Sequence, residues 1–264
     1  MKTQTKHLFI FLLAAIPFAV NAQAQRTVYN AKRGWKTDTE SRQTSASSAE
    51  VARAISAFDR ISVEGAFNVY LYSGTEDSIY IQAPAKQLDD IITKVENGKL
   101  LVKMKKGSWM KKGSRNYYGY SKRIIRIPVR EISGLSLSGS GNISTQDLDL
   151  NNNELSIKSS GSGNITVSVA CDYLQLQNSG SGMLSLSGKT NRLNLAMSGS
   201  GNVALETLQA QSSAVKLSGS GVAKINSQKD LNVKLSGSGS VRYKFYDNLV
   251  LTSKTNGSGS IRSY

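Results

Sequence analysis

Hydrophobic and polar residues alternate along most of the chain from Phe58 onward, in short runs broken by Gly, Ser and Asn. A period of two places successive side chains on opposite faces of an extended strand. The first runs predict three short strands, which contain Ile61 and Val63, then Phe67, Val69 and Leu71, then Ile79 and Ile81. The pattern therefore predicts an all-β fold.

One stretch departs from this alternation. Around Pro84–Ile92, apolar residues recur at helical spacing and continue to Val95. Asn97-Gly98 is a strong two-residue hairpin turn, and it predicts pairing of Thr93–Glu96 with Leu100–Met104. Both patterns use Ile92–Val95, and the sequence leaves the choice between them open.

The C-terminal half is organised around a recurring Ser-Gly-Ser-Gly motif, whose last copy reads Asn-Gly-Ser-Gly. Its first glycines are Gly139, Gly161, Gly180, Gly199, Gly219, Gly237 and Gly257, at steps of 22, 19, 19, 20, 18 and 20 residues. Alternating strands lie between the copies, which disfavours a flexible Gly/Ser linker and is typical of a solenoid. We predict a parallel β-helix, or β-solenoid, of about seven coils, with these glycines as structural corners.

A similar corner is predicted in the N-terminal half. Val63–Val69 can be laid over Leu137–Ile143, so that Gly65 coincides with Gly139. We interpret Gly65 as the corner of a degenerate first coil, with the segment between the two glycines as an elaborated strand and hairpin region.

The first residues are typical of a secretory signal peptide: a basic start, an apolar run over Leu8–Val20, and Ala22-Gln23-Ala24 for cleavage after Ala22 or Ala24. We assign residues 1–24 to the signal and 25–57 to a flexible leader with one helical turn near Glu50–Ile55. The β-helix domain is assigned to residues 58–264, with N-terminal strands and a basic loop at 58–131 and the repeats at 132–264. No later segment is apolar enough to span a membrane, so we expect an exported protein in the periplasm, at the cell surface or outside the cell.

Few residues in the exported chain are suited to catalysis or metal binding. His7 is the single histidine and leaves with the signal, which excludes histidine-dependent triads and His-ligated metals. Cys171 is the single cysteine, so no intramolecular disulfide forms. We expect Cys171 to be a small residue at a turn, with a reactive thiol as the alternative. The glycine motifs lack the lysine of a phosphate-binding loop and the repeated aspartate of a calcium-binding β-roll, and we predict no metal and no cofactor.

The formal net charge is +15, and one window concentrates it. Between Lys99 and Arg130 there are eleven basic residues and no acidic one, with Trp109 and three tyrosines interleaved. Such a loop is either a solvated edge hairpin protected by its lysines or an anion-binding surface with aromatic platforms. The predicted ligand-binding residues are Lys105, Lys106, Trp109, Lys111, Lys112, Arg115, Tyr117, Tyr118, Lys122 and Arg123.

Three sequence features together resemble a known family. They are Phe-Asp-Arg-Ile-Ser-Val-Glu-Gly from Phe58, Asn-Gly-Lys-Leu from Asn97, and Leu-x-Leu-Ser-Gly-Ser-Gly-Asn-Ile from Leu135. From Phe58 onward the chain resembles the putative auto-transporter adhesin, head GIN domain family. The resemblance implies a right-handed parallel β-helix from the envelope of Gram-negative bacteria, and it carries no catalytic or binding residues over to this chain.

The function we predict is that of a non-enzymatic, adhesin-like binding module. Its expected partner is an anionic polysaccharide, lipopolysaccharide or an acidic protein, contacted through the basic aromatic loop. A purely structural envelope protein and a β-helix polysaccharide lyase or hydrolase are the alternatives. Nucleic acid fits the charge but not the export signal, and the oligomeric state stays open.

Overall fold

The computed structural model describes residues 48–107 and 122–264, in which β-strands predominate. The strands are β1 (Ser48–Ala54), β2 (Arg60–Glu64), β3 (Asn68–Ser73), β4 (Ser78–Pro84), β5 (Ile91–Glu96), β6 (Lys99–Met104), β7 (Ile124–Val129), β8 (Gly134–Gly139), β9 (Asn142–Gly161), β10 (Asn164–Gly180), β11 (Met183–Gly199), β12 (Asn202–Ala204), β13 (Leu208–Gly219), β14 (Val222–Ile225), β15 (Ser227–Gly237), β16 (Ser240–Tyr243), β17 (Val250–Asn256) and β18 (Ser260–Ser263). A short 3-10 helix spans Ala85–Asp90.

The repeats stack as a parallel β-solenoid of about six turns, which confirms the predicted fold and comes close to the predicted seven coils. Each long strand pairs in parallel with the equivalent strand of the next coil. Leu176 of β10, for example, lies between Ile157 of β9 and Leu195 of β11. The register places the apolar residues of successive coils over one another, so their side chains form one continuous core.

The long strands bend where the inward and outward alternation changes phase. In β10, Val169 and Cys171 are buried, and the next buried residue is Leu174 rather than residue 173. In β11 the same shift falls between Thr190 and Leu193. A phase change keeps apolar side chains directed inward as the chain turns, and it makes a second corner in every coil.

The first corner of every coil is formed by a column of glycines with positive φ, which includes all seven predicted positions. At Gly199, φ is +106°, and an added Cβ would lie 2.6 Å from the carbonyl oxygen of Gly180 in the preceding coil. That oxygen accepts hydrogen bonds from the backbone N–H groups of Ser200 and Gly201, at 3.1 and 2.9 Å. Glycine is therefore required by both the backbone conformation and the close stacking of the corners.

The predicted degenerate coil is confirmed. Gly65 has φ +115° and lies under Gly139, while β2 pairs in parallel with β8 and β3 with β9. On the other side of this coil, β6 pairs in parallel with β2 and β7 with β3. Strands β6 and β7 thus form one further coil.

Antiparallel strands cover this end of the solenoid. Strand β5 pairs with β6 through the predicted hairpin, whose Asn97 and Gly98 both have positive φ, as a type I′ turn requires. Residues Ile92–Val95 belong to that hairpin, and within residues 48–107 helical structure is confined to the 3-10 segment before it. Strand β4 pairs with β7, and β1 pairs with β4.

Strand β1 corrects the prediction of a helical turn near Glu50–Ile55 within a flexible leader. Ala49 and Val51 pack against the core. The Arg53 guanidinium donates to the carbonyl oxygens of Ile91 and Leu88 at 2.6 and 2.7 Å. Val51 is the one strongly apolar residue of β1, so the alternation of apolar and polar residues in this strand is weak. The hydrogen bonds of Arg53 that hold the strand cannot be seen in a hydrophobic pattern.

The opposite end of the solenoid is open. Strands β17 and β18 each pair with one neighbour, β15 and β16 respectively. All residues of β17 are exposed, as is the Phe245 ring. Tyr246 closes part of this end, because its hydroxyl donates to the side-chain oxygen of Asn226 at 2.7 Å.

Candidate anion-binding surface

The basic segment, residues 105–123, connects β6 to β7 of the outermost coil, and the structure describes its two ends, residues 105–107 and 122–123. Its two ends are held by backbone hydrogen bonds. The Lys105 N–H donates to the carbonyl of Asp90 at 2.7 Å, and the Asn68 N–H donates to the carbonyl of Arg123 at 2.8 Å. The two ends of the basic segment are thereby fixed to the first coil and to the 3-10 helix.

The structure places four of the ten predicted ligand-binding residues. Lys105, Lys106 and Lys122 are exposed at the two ends of the basic segment. The fourth, Arg123, is buried. The remaining six lie outside the described residues: Trp109, Lys111, Lys112, Arg115, Tyr117 and Tyr118.

Arg123 lies inside the fold, with 7% of its surface exposed. Its Nε donates to the Oε1 atom of the fully buried Gln87 at 2.8 Å, and its Nη1 donates to the carbonyl oxygen of Ala66 at 3.3 Å. These bonds tie the basic segment to the 3-10 helix and to the first glycine corner. In this structure Arg123 acts as an anchor, and the exposed cations are its lysine neighbours.

Two other arginines of the basic window are also used by the fold. Arg126 forms an ion pair of 2.7 Å with Glu50 of β1, and its guanidinium lies 5.6 Å from the centroid of the Tyr80 ring. Arg130 donates to the carbonyl oxygen of Thr75 at 2.6 Å. These contacts hold the capping strands and loop in place, so the positive charge available to a ligand is smaller than the eleven basic residues suggest.

The local electrostatic potential is positive at the β5–β6 hairpin, which lies beside the basic segment. The hydrogen bond from Lys94, at 2.5 Å, and the charge of Lys94 hold the pKa of the Glu96 carboxyl below its usual value. Lys103 and Lys99 of β6 lower the same pKa further. The exposed Glu96 carboxylate is therefore stabilised in its ionised form by three neighbouring cations.

A polar groove of about 640 Å³ lies elsewhere, along the second corner of the repeats. Its lining groups bond to one another from coil to coil: Asn191 donates to Asp172 at 2.7 Å, and the Cys171 thiol contacts the Thr190 hydroxyl at 3.7 Å. Cys171 lies within strand β10, beside its change of burial phase, rather than in the expected turn, and burial raises the pKa of its thiol. The protonated, buried thiol has the properties of a packing residue.

Among residues 48–107 and 122–264, no group of three or more His, Cys, Asp or Glu side chains is arranged to hold a metal ion. Within the same ranges, no helix has the length and hydrophobicity needed to cross a membrane.

The fold and this surface define a capped parallel β-solenoid whose outermost coil carries exposed lysines at the described ends of the basic segment. The family model described as "Putative auto-transporter adhesin, head GIN domain" matches residues 57–245, and the chain belongs to this family. Its adhesin description favours a binding role over a catalytic one, and an exported or surface protein. The search of curated proteins gave no match.

Solved structures share the fold. A putative adhesin from Bacteroides fragilis has a TM-score of 0.71 at 21% identity, over 83% of this chain and 97% of that one. A putative adhesin from Parabacteroides distasonis has a TM-score of 0.65 at 16% identity, over 83% and 97%. A structure named as a putative lipid binding protein, also from Parabacteroides distasonis, has a TM-score of 0.64 at 22% identity, over 82% and 96%.

Proposed function

We propose that this protein is an exported, non-enzymatic adhesin-like module that binds an anionic partner at the bacterial envelope through its basic segment. The observation that carries the proposal is the position of this segment. It joins β6 to β7 of the outermost coil, and its described ends carry the exposed Lys105, Lys106 and Lys122.

Several features support an electrostatic mode of binding. The window from Lys99 to Arg130 contains no acid that could neutralise its cations from within. The proposed binding residues outside the described ranges would add aromatic contacts to sugar rings and cationic contacts to acidic groups. They are Trp109, Lys111, Lys112, Arg115, Tyr117 and Tyr118. A partner held in this way loses affinity as salt screens the charges.

The test compares two double variants with equal net charge. Lys106→Glu/Lys122→Glu changes the basic segment, and Lys158→Glu/Lys189→Glu changes two exposed lysines on the repeats. The partners to offer are an acidic polysaccharide, lipopolysaccharide, and vesicles with anionic lipid. The last is included because one structural relative is named as lipid binding.

We expect the segment variant to bind at least about tenfold more weakly than the control variant, and wild-type binding to fall steeply towards about 0.5 M NaCl. Lys111→Ala/Lys112→Ala should weaken binding in the same direction. Equal binding by all variants, or binding indifferent to salt, would contradict the proposed mechanism and favour a purely structural envelope role.

A further inference from the structure

A second cationic feature lies near the open end of the solenoid, far along the chain from the basic segment. Lys216 of β13 pairs with Lys234 of β15, and Lys234 pairs with Lys254 of β17. All three side chains are exposed. In β13 and β15 the adjacent residues Val215, Leu217 and Val233 are buried, so Lys216 and Lys234 point outward, and every residue of β17 is exposed. We call these three residues the lysine row. Adjacent paired strands are separated by about 4.8 Å, so the row runs across three coils at that step.

No side chain of the lysine row forms a hydrogen bond or ion pair with any residue that the structure describes. By contrast, Lys224 on the adjoining face is bonded to Glu206 at 2.6 Å. Asp230 lies in the same strand as Lys234 but is four residues away, or about 13 Å in an extended chain. Like charges on directly paired strands oppose folding, so the row costs stability that a bound anion would restore.

The residues beside the row are small and polar. On one side lie the outward residues Ser218, Ser236 and Asn256, and on the other Ala214, Asn232 and Thr252. Hydroxyl and amide groups both donate and accept hydrogen bonds, as sugar hydroxyls do. The outward positions of the three strands therefore combine a line of positive charges with flanking groups that suit a carbohydrate.

We propose that the lysine row binds an extended acidic polysaccharide, with carboxylates on one side of the polymer facing the lysines. The row runs along the stacking direction of the coils at about 4.8 Å per step. The polymer would thus lie across the strands, along the stacking direction. The class of partner rests on the proposed function, whereas the site consists of different residues.

A membrane surface fits this face less well. Peripheral membrane binding combines cations with apolar side chains that enter the interface, and the outward positions of the row and its flanks supply Ser, Thr, Asn, Ala and Lys. The polyuronate is accordingly the ligand class we commit to, and anionic lipid is an outcome of the test.

The test measures binding of the full exported chain to polygalacturonate, with its fully methyl-esterified form as the uncharged control polymer. The row variant is Lys216→Gln/Lys234→Gln/Lys254→Gln. The matched control variant is Lys158→Gln/Lys189→Gln/Lys229→Gln, which removes the same charge from exposed lysines outside the row. Lys158 is especially informative because it stacks in the same column of outward residues as the lysine row. Its paired neighbours, however, are Ser136 and Gln177 rather than lysines.

At about threefold per exposed charge contact, the row variant should bind roughly 30-fold more weakly, and the control variant within about threefold of wild type. Polygalacturonate should raise the melting temperature of the wild type and the control variant but not that of the row variant. Equal losses in both variants would overturn the proposal, because binding would then depend on net charge alone.

A gain-of-function variant tests the spacing itself. Ala196 is exposed and pairs with Lys216, so Ala196→Lys extends the row by one step. It should tighten binding about threefold. Thr166→Lys, at an exposed position on another face, should have no such effect, and equal gains in the two variants would count against a specific row.

The outcomes separate this proposal from the proposed function. If Lys106→Glu/Lys122→Glu abolishes binding to polygalacturonate while the row variant binds normally, the lysine row is wrong and the proposed function stands. If only the row variant is impaired, the row stands and the basic segment is not the binding surface for this polymer. Row-dependent binding to anionic vesicles without binding to the polymer would overturn the assigned ligand class.

Discussion

The stacked glycine corners make a sharp prediction at Gly180, in the middle of the column. Gly180 has φ +132°, and an added Cβ would lie 2.9 Å from the backbone nitrogen of Gly161 and closer still to its carbonyl oxygen. That oxygen accepts hydrogen bonds from Ser181 and Gly182 at 2.9 and 3.0 Å. The substitution Gly180→Ala therefore strains the backbone, crowds the preceding coil and displaces an acceptor shared by two bonds.

The expected cost is large for the addition of one methyl group. A non-glycine residue in this region of φ costs about 2 kcal/mol, crowding against fixed backbone costs about 2 kcal/mol, and two weakened hydrogen bonds cost about 1 kcal/mol each. We expect Gly180→Ala to lower the free energy of unfolding by about 6 kcal/mol. Truncation of the fully buried Leu184 to Ala should cost about 3 kcal/mol.

Thermal melting followed by circular dichroism measures both variants. At 2–4 °C per kcal/mol for a domain of this size, Gly180→Ala should melt roughly 12–24 °C lower than wild type, and Leu184→Ala roughly 6–12 °C lower. The control is Gly107→Ala, because Gly107 also has positive φ, +80°, but no atom of the described residues lies within 4 Å of an added Cβ. Equal melting temperatures for Gly180→Ala and Gly107→Ala would refute the claim that stacking requires glycine.

Two further predictions concern buried polar groups. Arg123→Met should lower the free energy of unfolding by about 2 kcal/mol, because Gln87 loses a hydrogen-bond partner inside the fold; an unchanged urea midpoint would show that Arg123 is not an anchor. Cys171 should react slowly with a thiol-specific reagent in the native protein and fully after denaturation, since burial raises the pKa of its thiol. Rapid native reaction would indicate the reactive alternative.

Much of the fold could be predicted from the sequence because its determinants are local and repeated. The spacing of the glycine motifs fixes the length of a coil, and the alternation between them fixes which side chains face inward. The short match between Val63–Val69 and Leu137–Ile143 predicted a corner for the same reason: Gly65 and Gly139 both need positive φ. Asn97-Gly98 likewise specifies its turn by backbone conformation alone.

Other features depend on contacts between residues that are distant in sequence. Strand β1 is held by Arg53, whose carbonyl acceptors lie 35 and 38 residues away. The burial of Arg123 depends on Gln87, which no local pattern links to it. The lysine row was not predicted from the sequence, because Lys216, Lys234 and Lys254 become neighbours only when the coils are placed in register.

The alternation of the stacked strands also has an evolutionary consequence. Inward residues and corner glycines maintain the fold, so the outward residues of a coil can be replaced with little effect on the interior. Duplication or loss of one coil would lengthen or shorten an outward row by a single step, about 4.8 Å, while leaving the remaining coils intact. Selection could thereby match the reach and charge of a surface to a new polymer without inventing a new protein.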